Sequence, residues 1–179
     1  LAGLAAERIR QELVKLLVAK GVTAALQEMG DAGLLLLLLG GVTYHQVLDA
    51  MIAAEQALTL KPDPMRRLAA LAVATVEDGE RLTQRLRLSN AEALQLDSMA
   101  HRWWRLGALD EAQAHVRLYK LGAQRFRDRA MLGWARDGAR ADYWRNLATL
   151  DKRWLVPVFP LKAADFIARG LQPGPALGE

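Results

Sequence analysis

The second half of the chain interleaves arginine with aromatic residues: Arg102-Trp103-Trp104-Arg105, Arg125-Phe126-Arg127, Trp144-Arg145 and Arg153-Trp154. A guanidinium fork donates two hydrogen bonds at once to a phosphate, and an aromatic face stacks on a base or sugar. These residue types together could therefore grip a nucleic acid. Trp and Phe filling a core, with neighbouring arginines pointing outward, would give the same pattern, and for most of the tryptophans that reading carries more weight. The arginines are the stronger candidates. On a helix Arg125, Arg127 and Arg129 spread over about 200°. Arg125 and Arg129, four apart, then share a face suited to phosphate, while Arg127 lies largely opposite, where Asp128 or Asp142 is a candidate partner.

Other chemistries have little to work with. The chain has no Cys, which removes a disulfide framework, a thiolate metal site and a cysteine nucleophile. Its three His, at 45, 101 and 115, lie far apart without metal-ligand spacing. No catalytic residue and no metal ligand is assigned. The net charge of +4 is uneven: residues 1–60 balance to −2, residues 61–120 to +2 and residues 121–179 to +4. The basic excess lies towards the C-terminus and is mostly arginine.

The elements that must position these groups read as helices throughout. Hydrophobic residues make up 52% and charged residues 25% of 179, the balance of a globular chain able to bury a core. Ile9, Leu13, Leu16 and Leu17 recur at helical spacing, and Gly21 ends that helix. Val22 to Met29 predicts a short second helix, and the Leu34–Leu39 run follows, bracketed by glycines and far too short to span a bilayer. Further helices are expected over 42–60, 65–76, 79–88, from 90 to about 106, 111–121, 123–136 and 139–154. Asp63-Pro64, the Ser89-Asn90-Ala91-Glu92 capping box and Asp110 mark starts, and Gly107 and Gly122 mark stops. No segment alternates with period two. The fold class expected is all-α: about ten short helices in a multi-helical array, ending in a Gly/Pro hairpin.

That hairpin is F-P-L-K-A-A-D-F-I-A-R-G-L-Q-P-G-P-A-L-G-E, residues 159–179. Ala163 to Arg169 holds about two helical turns, Gly170 suits a helix stop, Pro173-Gly174 a turn, and Pro175 the first position of a new helix. Backbone N–H groups left free at such a turn favour an anion, with Lys162 close in sequence. Glu7 and Glu12 interrupt any signal-peptide pattern, so a cytoplasmic protein without membrane attachment is expected.

Three ordered stretches resemble a known family. Ala6 to Leu13, A-E-R-I-R-Q-E-L, is similar to the E-R-I-x-x-E-L segment that follows the catalytic head of class II tRNA nucleotidyltransferases and poly(A) polymerases. Arg85 to Glu92, R-L-R-L-S-N-A-E, resembles a helix junction of that family. Leu118 to Ala135, followed by F-P-L-K-A-A-D and G-L-Q-P-G-P-A-L-G, resembles the C-terminal part of bacterial CCA-adding enzymes, with Ala163 where the family usually has Gly. The resemblance implies a neck-like segment over 1–60 and a body and tail over 61–179, with tRNA and a catalytic head of the same parent as partners. Arg85, Arg87 and Lys120 lie in these stretches. With Arg125, Arg129, Lys162, Gly170 and Gly174 they form the candidate RNA-binding set.

The family's head carries a Gly-Ser turn, a D-x-D metal pair, an R-R-D ribose contact and an E-D-x-x-R template. The first three do not occur here, so Mg²⁺ and catalysis are expected in a head outside this chain. Glu77-Asp78-Gly79-Glu80-Arg81 matches the template by letter, but it follows the E-R-I segment instead of preceding it and reads as a solvated helix face. The functional expectation is a tRNA-holding region that presents the 3′ end to that head. A poly(A) polymerase region and a helical protein–protein scaffold stand as alternatives.

Overall fold

The computed structural model describes residues 6–101, 103–155, 157 and 167. Within them the chain is helical throughout, as its periodicity predicts. Helices α1 (Ala6–Val18), α2 (Val22–Asp31), α3 (Leu34–Leu39) and α4 (His45–Ala57) come first. They are followed by α5 (Pro64–Ala72), α6 (Val76–Leu86) and α7 (Asn90–Ala100). A 3-10 turn, Trp103–Leu106, leads to α8 (Glu111–Leu121) and α9 (Ala123–Arg136). A second 3-10 turn, Gly138–Arg140, then precedes α10 (Ala141–Ala148) and α11 (Leu150–Arg153). Of the proposed hairpin only residue 167 is described, and Lys162, Gly170 and Gly174 lie outside the described residues.

The core is organised on α5. Asp63 caps it by accepting from the Arg66 N–H at 2.8 Å, and Pro64, which has no N–H to lose, takes the first turn. Every residue from Met65 to Ala72 is buried, because α1, α4, α7 and α9 pack around this one helix. Arg66 and Arg67 are buried with it. Arg66 donates to Glu55 Oε1 at 3.2 Å, Asp128 Oδ1 at 3.1 Å and the Lys61 carbonyl at 2.9 Å. Arg67 donates to Glu55 Oε2 at 2.8 Å and the Leu17 carbonyl at 2.8 Å. Gln95 closes the network by donating to Asp63 and Asp128. Burial opposes the charge on Arg66, but Asp128, Asp63 and Glu55 outweigh it and hold the guanidinium above its ordinary pKa.

α10 packs extensively on α9, and its closest approach is at Trp144. Trp144 is 1% exposed, and its ring lies on Gly133, where an added Cβ would stand 2.3–2.5 Å from three ring carbons. The indole N–H donates to Asp137 Oδ2 at 3.0 Å, so the buried polar edge of the ring is satisfied.

Several boundaries differ from the sequence expectation, each for a local reason. The helix expected over 42–60 is confined to His45–Ala57. The one expected to reach residue 76 stops at Ala72, where Val73 turns extended. The next starts at Val76, three residues before Gly79. Asp78 draws it back by accepting from the Ala74 and Thr75 N–H groups at 2.8 and 2.9 Å. Gly79 therefore sits inside a helix, facing Ala100. The helix expected to reach about 106 ends at Ala100, because His101 is extended and Trp103–Leu106 winds separately. The 139–154 stretch divides in three, with Thr149 Oγ1 donating back to the Arg145 carbonyl at 2.9 Å where α10 ends. The leucine run forms α3, and no described helix is long and apolar enough to cross a membrane.

Candidate nucleic-acid interface

Arginine has two fates in this fold. Many of the guanidiniums that stood out in sequence are spent on the protein. Arg85 donates to the Leu38 and Leu37 carbonyls at 2.8 and 2.5 Å, and Arg81 to the Leu39 carbonyl at 3.2 Å. Together they cap the C-terminal end of α3, whose carbonyls have no partner within the helix. Arg81 also pairs with Asp78 at 2.7 Å, so the Glu77–Arg81 stretch is not simply a solvated face: two of its members are structural. Arg127 pairs with Asp151 on α11, not with Asp128 or Asp142, and Asp128 is taken by Arg66. Arg136 lies over the rings of Tyr44 and Trp103 and donates to the Val73 carbonyl. Arg140 donates to the Gly107 carbonyl at 2.5 Å.

Two of the stretches that resemble the nucleotidyltransferase family meet in space. Arg87, in the left-handed region at φ 49°, pairs with Glu7 at 2.7 Å. Arg10 donates to the Arg87 carbonyl at 3.0 Å and to Glu92 Oε2 at 3.2 Å. The same Glu92 oxygen accepts from the Ser89 N–H at 2.8 Å, so the capping box of α7 also anchors α1.

The second fate appears where the end of α7, the 3-10 turn, α8 and α9 converge. Asp97, His101, Arg105, Leu106, Arg117, Leu121 and Arg129 line a cleft of about 300 Å³. Arg129 is half-buried on α9, and its Nε donates to Ser98 Oγ at 3.2 Å. Burial disfavours its charge; Asp97 favours it, while Arg117 and Arg125 oppose it, and the net effect is a pKa below the ordinary arginine value. Asp97 is engaged by His101 at 2.9 Å. Among the described residues, Arg105 and Arg117 take part in no ion pair. Arg125 is exposed and lines an adjoining cleft with Leu94, Gln95, Gln124 and Asp128, and Lys120 is exposed on α8.

Of the predicted site residues, the fold brings Arg125 and Arg129 to one region and places Arg85 and Arg87 elsewhere, on the contacts of α3 and α1. The cleft also contains Arg117, which no sequence pattern singled out. It stands alone between Val116 and Leu118, and only the packing of α8 on α9 brings it to Arg129. The aromatics divide as well. Trp144 is core, Trp103 is half-buried, Trp104 is 50% exposed, and Trp154 stacks on His115 at 4.4 Å.

The fold and this surface define an all-helical module with an open, arginine-lined cleft. Residues 1–44 match the family model described as the probable RNA and SrmB-binding site of polymerase A. That stretch comprises α1, α2 and α3, and the match supports an RNA-binding region of the poly(A) polymerase family there. No curated protein matches the chain.

Proposed function

We propose that this chain is the RNA-holding region of a poly(A) polymerase-type nucleotidyltransferase, and specifically of one that adds CCA to tRNA. It would bind the tRNA backbone and present the 3′ end to a catalytic head elsewhere in the parent protein. The observation that carries this is the family match over residues 1–44. The contacts that lock the E-R-I segment to the R-L-R-L-S-N-A-E junction support it, because two family-like stretches about eighty residues apart behave as one structural unit. Recognition would follow backbone and shape, with arginines on phosphates, as is usual for structured RNA.

Mg²⁺ belongs to the chemistry of such a head, where closely placed carboxylates hold it against a triphosphate. Among the described residues no three His, Asp or Glu stand together as a metal site. The name of the matched family favours a second reading, a region of a poly(A) polymerase proper.

Gel shift with tRNA over a range of salt tests the RNA role. The logarithm of affinity should fall linearly with the logarithm of salt. Incubation with tRNA lacking its 3′ CCA, CTP, ATP and Mg²⁺ should give no extension by this chain. The full-length parent decides between the enzymes by adding CCA or a poly(A) tract. A chain that binds no RNA even at low salt would favour the reading as a helical protein–protein scaffold.

A further inference from the structure

We propose that the cleft between α7, α8 and α9 is a seat for one phosphoryl anion, held by Arg105, Arg117 and Arg129 and occupied in function by a backbone phosphate of the bound RNA. The identity of that carrier rests on the RNA-binding reading above. The seat itself rests on the arrangement of charge.

Three guanidiniums reach one small cleft from three separate elements: the 3-10 turn, α8 and α9. A protein does not gather like charges at no cost. The charge on Arg129 is disfavoured by burial and by Arg117 and Arg125, and Asp97 offsets only part of this. Among the described residues the lone acid lining the cleft is Asp97, whose carboxylate lies 2.9 Å from His101 Nδ1, and Ser98 occupies only the Nε of Arg129. One carboxylate against three guanidiniums leaves a positive excess that the cleft residues do not neutralise. Elsewhere in the fold, structural arginines have their donors taken up by acids, as around Glu55, or by backbone carbonyls, as for Arg85. An anion completes the cleft, and a tetrahedral phosphoryl group, with several acceptor oxygens, can take hydrogen bonds from several guanidinium forks at once.

The geometry also sets the kind of contact. Arg129 is fixed by Ser98 and by its helix, whereas Arg105 and Arg117 are exposed and able to close on a ligand. A seat of this type reads a phosphate without reading the base attached to it.

Two measurements on the whole chain test this. The first follows the Arg129 Nε–H signal by NMR during titration with inorganic pyrophosphate. The second follows tRNA affinity across salt for Arg105→Ala, Arg117→Ala and their double variant, with helicity checked by circular dichroism. Lys152→Ala, an exposed lysine on α11, is the control. We expect a saturable shift of the Arg129 signal, lost in the double variant. The slope of log affinity against log salt should fall by roughly one unit for each phosphate contact removed, whatever the base sequence. An unresponsive Arg129 signal overturns the seat, even if the salt slope changes, because diffuse attraction alone would then account for it. A saturable shift with unchanged tRNA affinity in the double variant overturns the RNA carrier and leaves a site for a free phosphoryl ligand. Failure of the wild-type chain to bind any RNA strikes the functional reading, while the pyrophosphate titration still decides whether the seat exists.

Discussion

Arg66 and Arg67 on α5 and Arg117 and Arg129 on α8 and α9 are the same residue type in opposite circumstances. The first two are 6% and 5% exposed, and carboxylates and carbonyls take up their donors. The second two line an open cleft together with Arg105 and, among the described residues, one acid, which lies beside His101. Taking a guanidinium out of water is costly, so a deeply buried one needs partners for its charge. A cluster left unpaired at the surface is tolerated because solvent screens it, and it keeps its hydrogen-bonding capacity for a ligand. Pairing, more than the residue's identity, separates a structural arginine from a binding one.

Substitutions can break or sharpen that contrast. The largest effect is expected from Glu55→Gln, which leaves two buried guanidiniums without their shared carboxylate. Loss of one partner from a buried pair costs about 3–5 kcal/mol, to be read from urea denaturation. A loss below 1 kcal/mol would show that the network is not what holds α4 to α5. Asp128→Ala should cost less, about 1.5–3 kcal/mol as for a hydrogen bond to a charged group, because Arg66 keeps Glu55 and the Lys61 carbonyl.

Asp78 stands between the two extremes, half-buried and paired with Arg81. Burial alone would raise its pKa, but the Ala74 and Thr75 N–H groups and Arg81 together hold it below its ordinary value. A carboxylate depressed in the folded state contributes stability that is present above its unfolded pKa of about 3.9 and lost as pH falls through the folded value. Asp78→Asn should therefore cost about 1 kcal/mol at neutral pH, the scale of a helix cap, and reduce the acid loss of Tm below about pH 4. An identical acid profile in wild type and variant would remove Asp78 from the account. The smallest effect on stability is expected from Arg117→Ala, within about 0.5 kcal/mol as for an exposed site. A larger loss would make the cleft structural and erase the contrast.

Local chemistry made much of the fold legible in the sequence. Asp63-Pro64, Ser89 to Glu92 and Asp110 each begin a helix as their types require, since a cap acts within three residues. The Asp78 cap was hidden, because the glycine following it drew the helix start downstream. The candidate site was only half legible. Spacing of four put Arg125 and Arg129 in one region. The addition of Arg105 and Arg117, and the loss of Arg85 to the carbonyls of α3, depend on which helices pack together, and a periodic pattern carries no such information.

The contact of Gly133 with Trp144 constrains the order in which this sequence can change. With the tryptophan in place, even a methyl group at 133 collides with its ring. With a small residue at 144, the same methyl would help to fill the space left behind. Each change is harmful or helpful according to which comes first. A lineage can alter position 133 readily only after 144 has shrunk, and once both have changed, a direct return to tryptophan is closed.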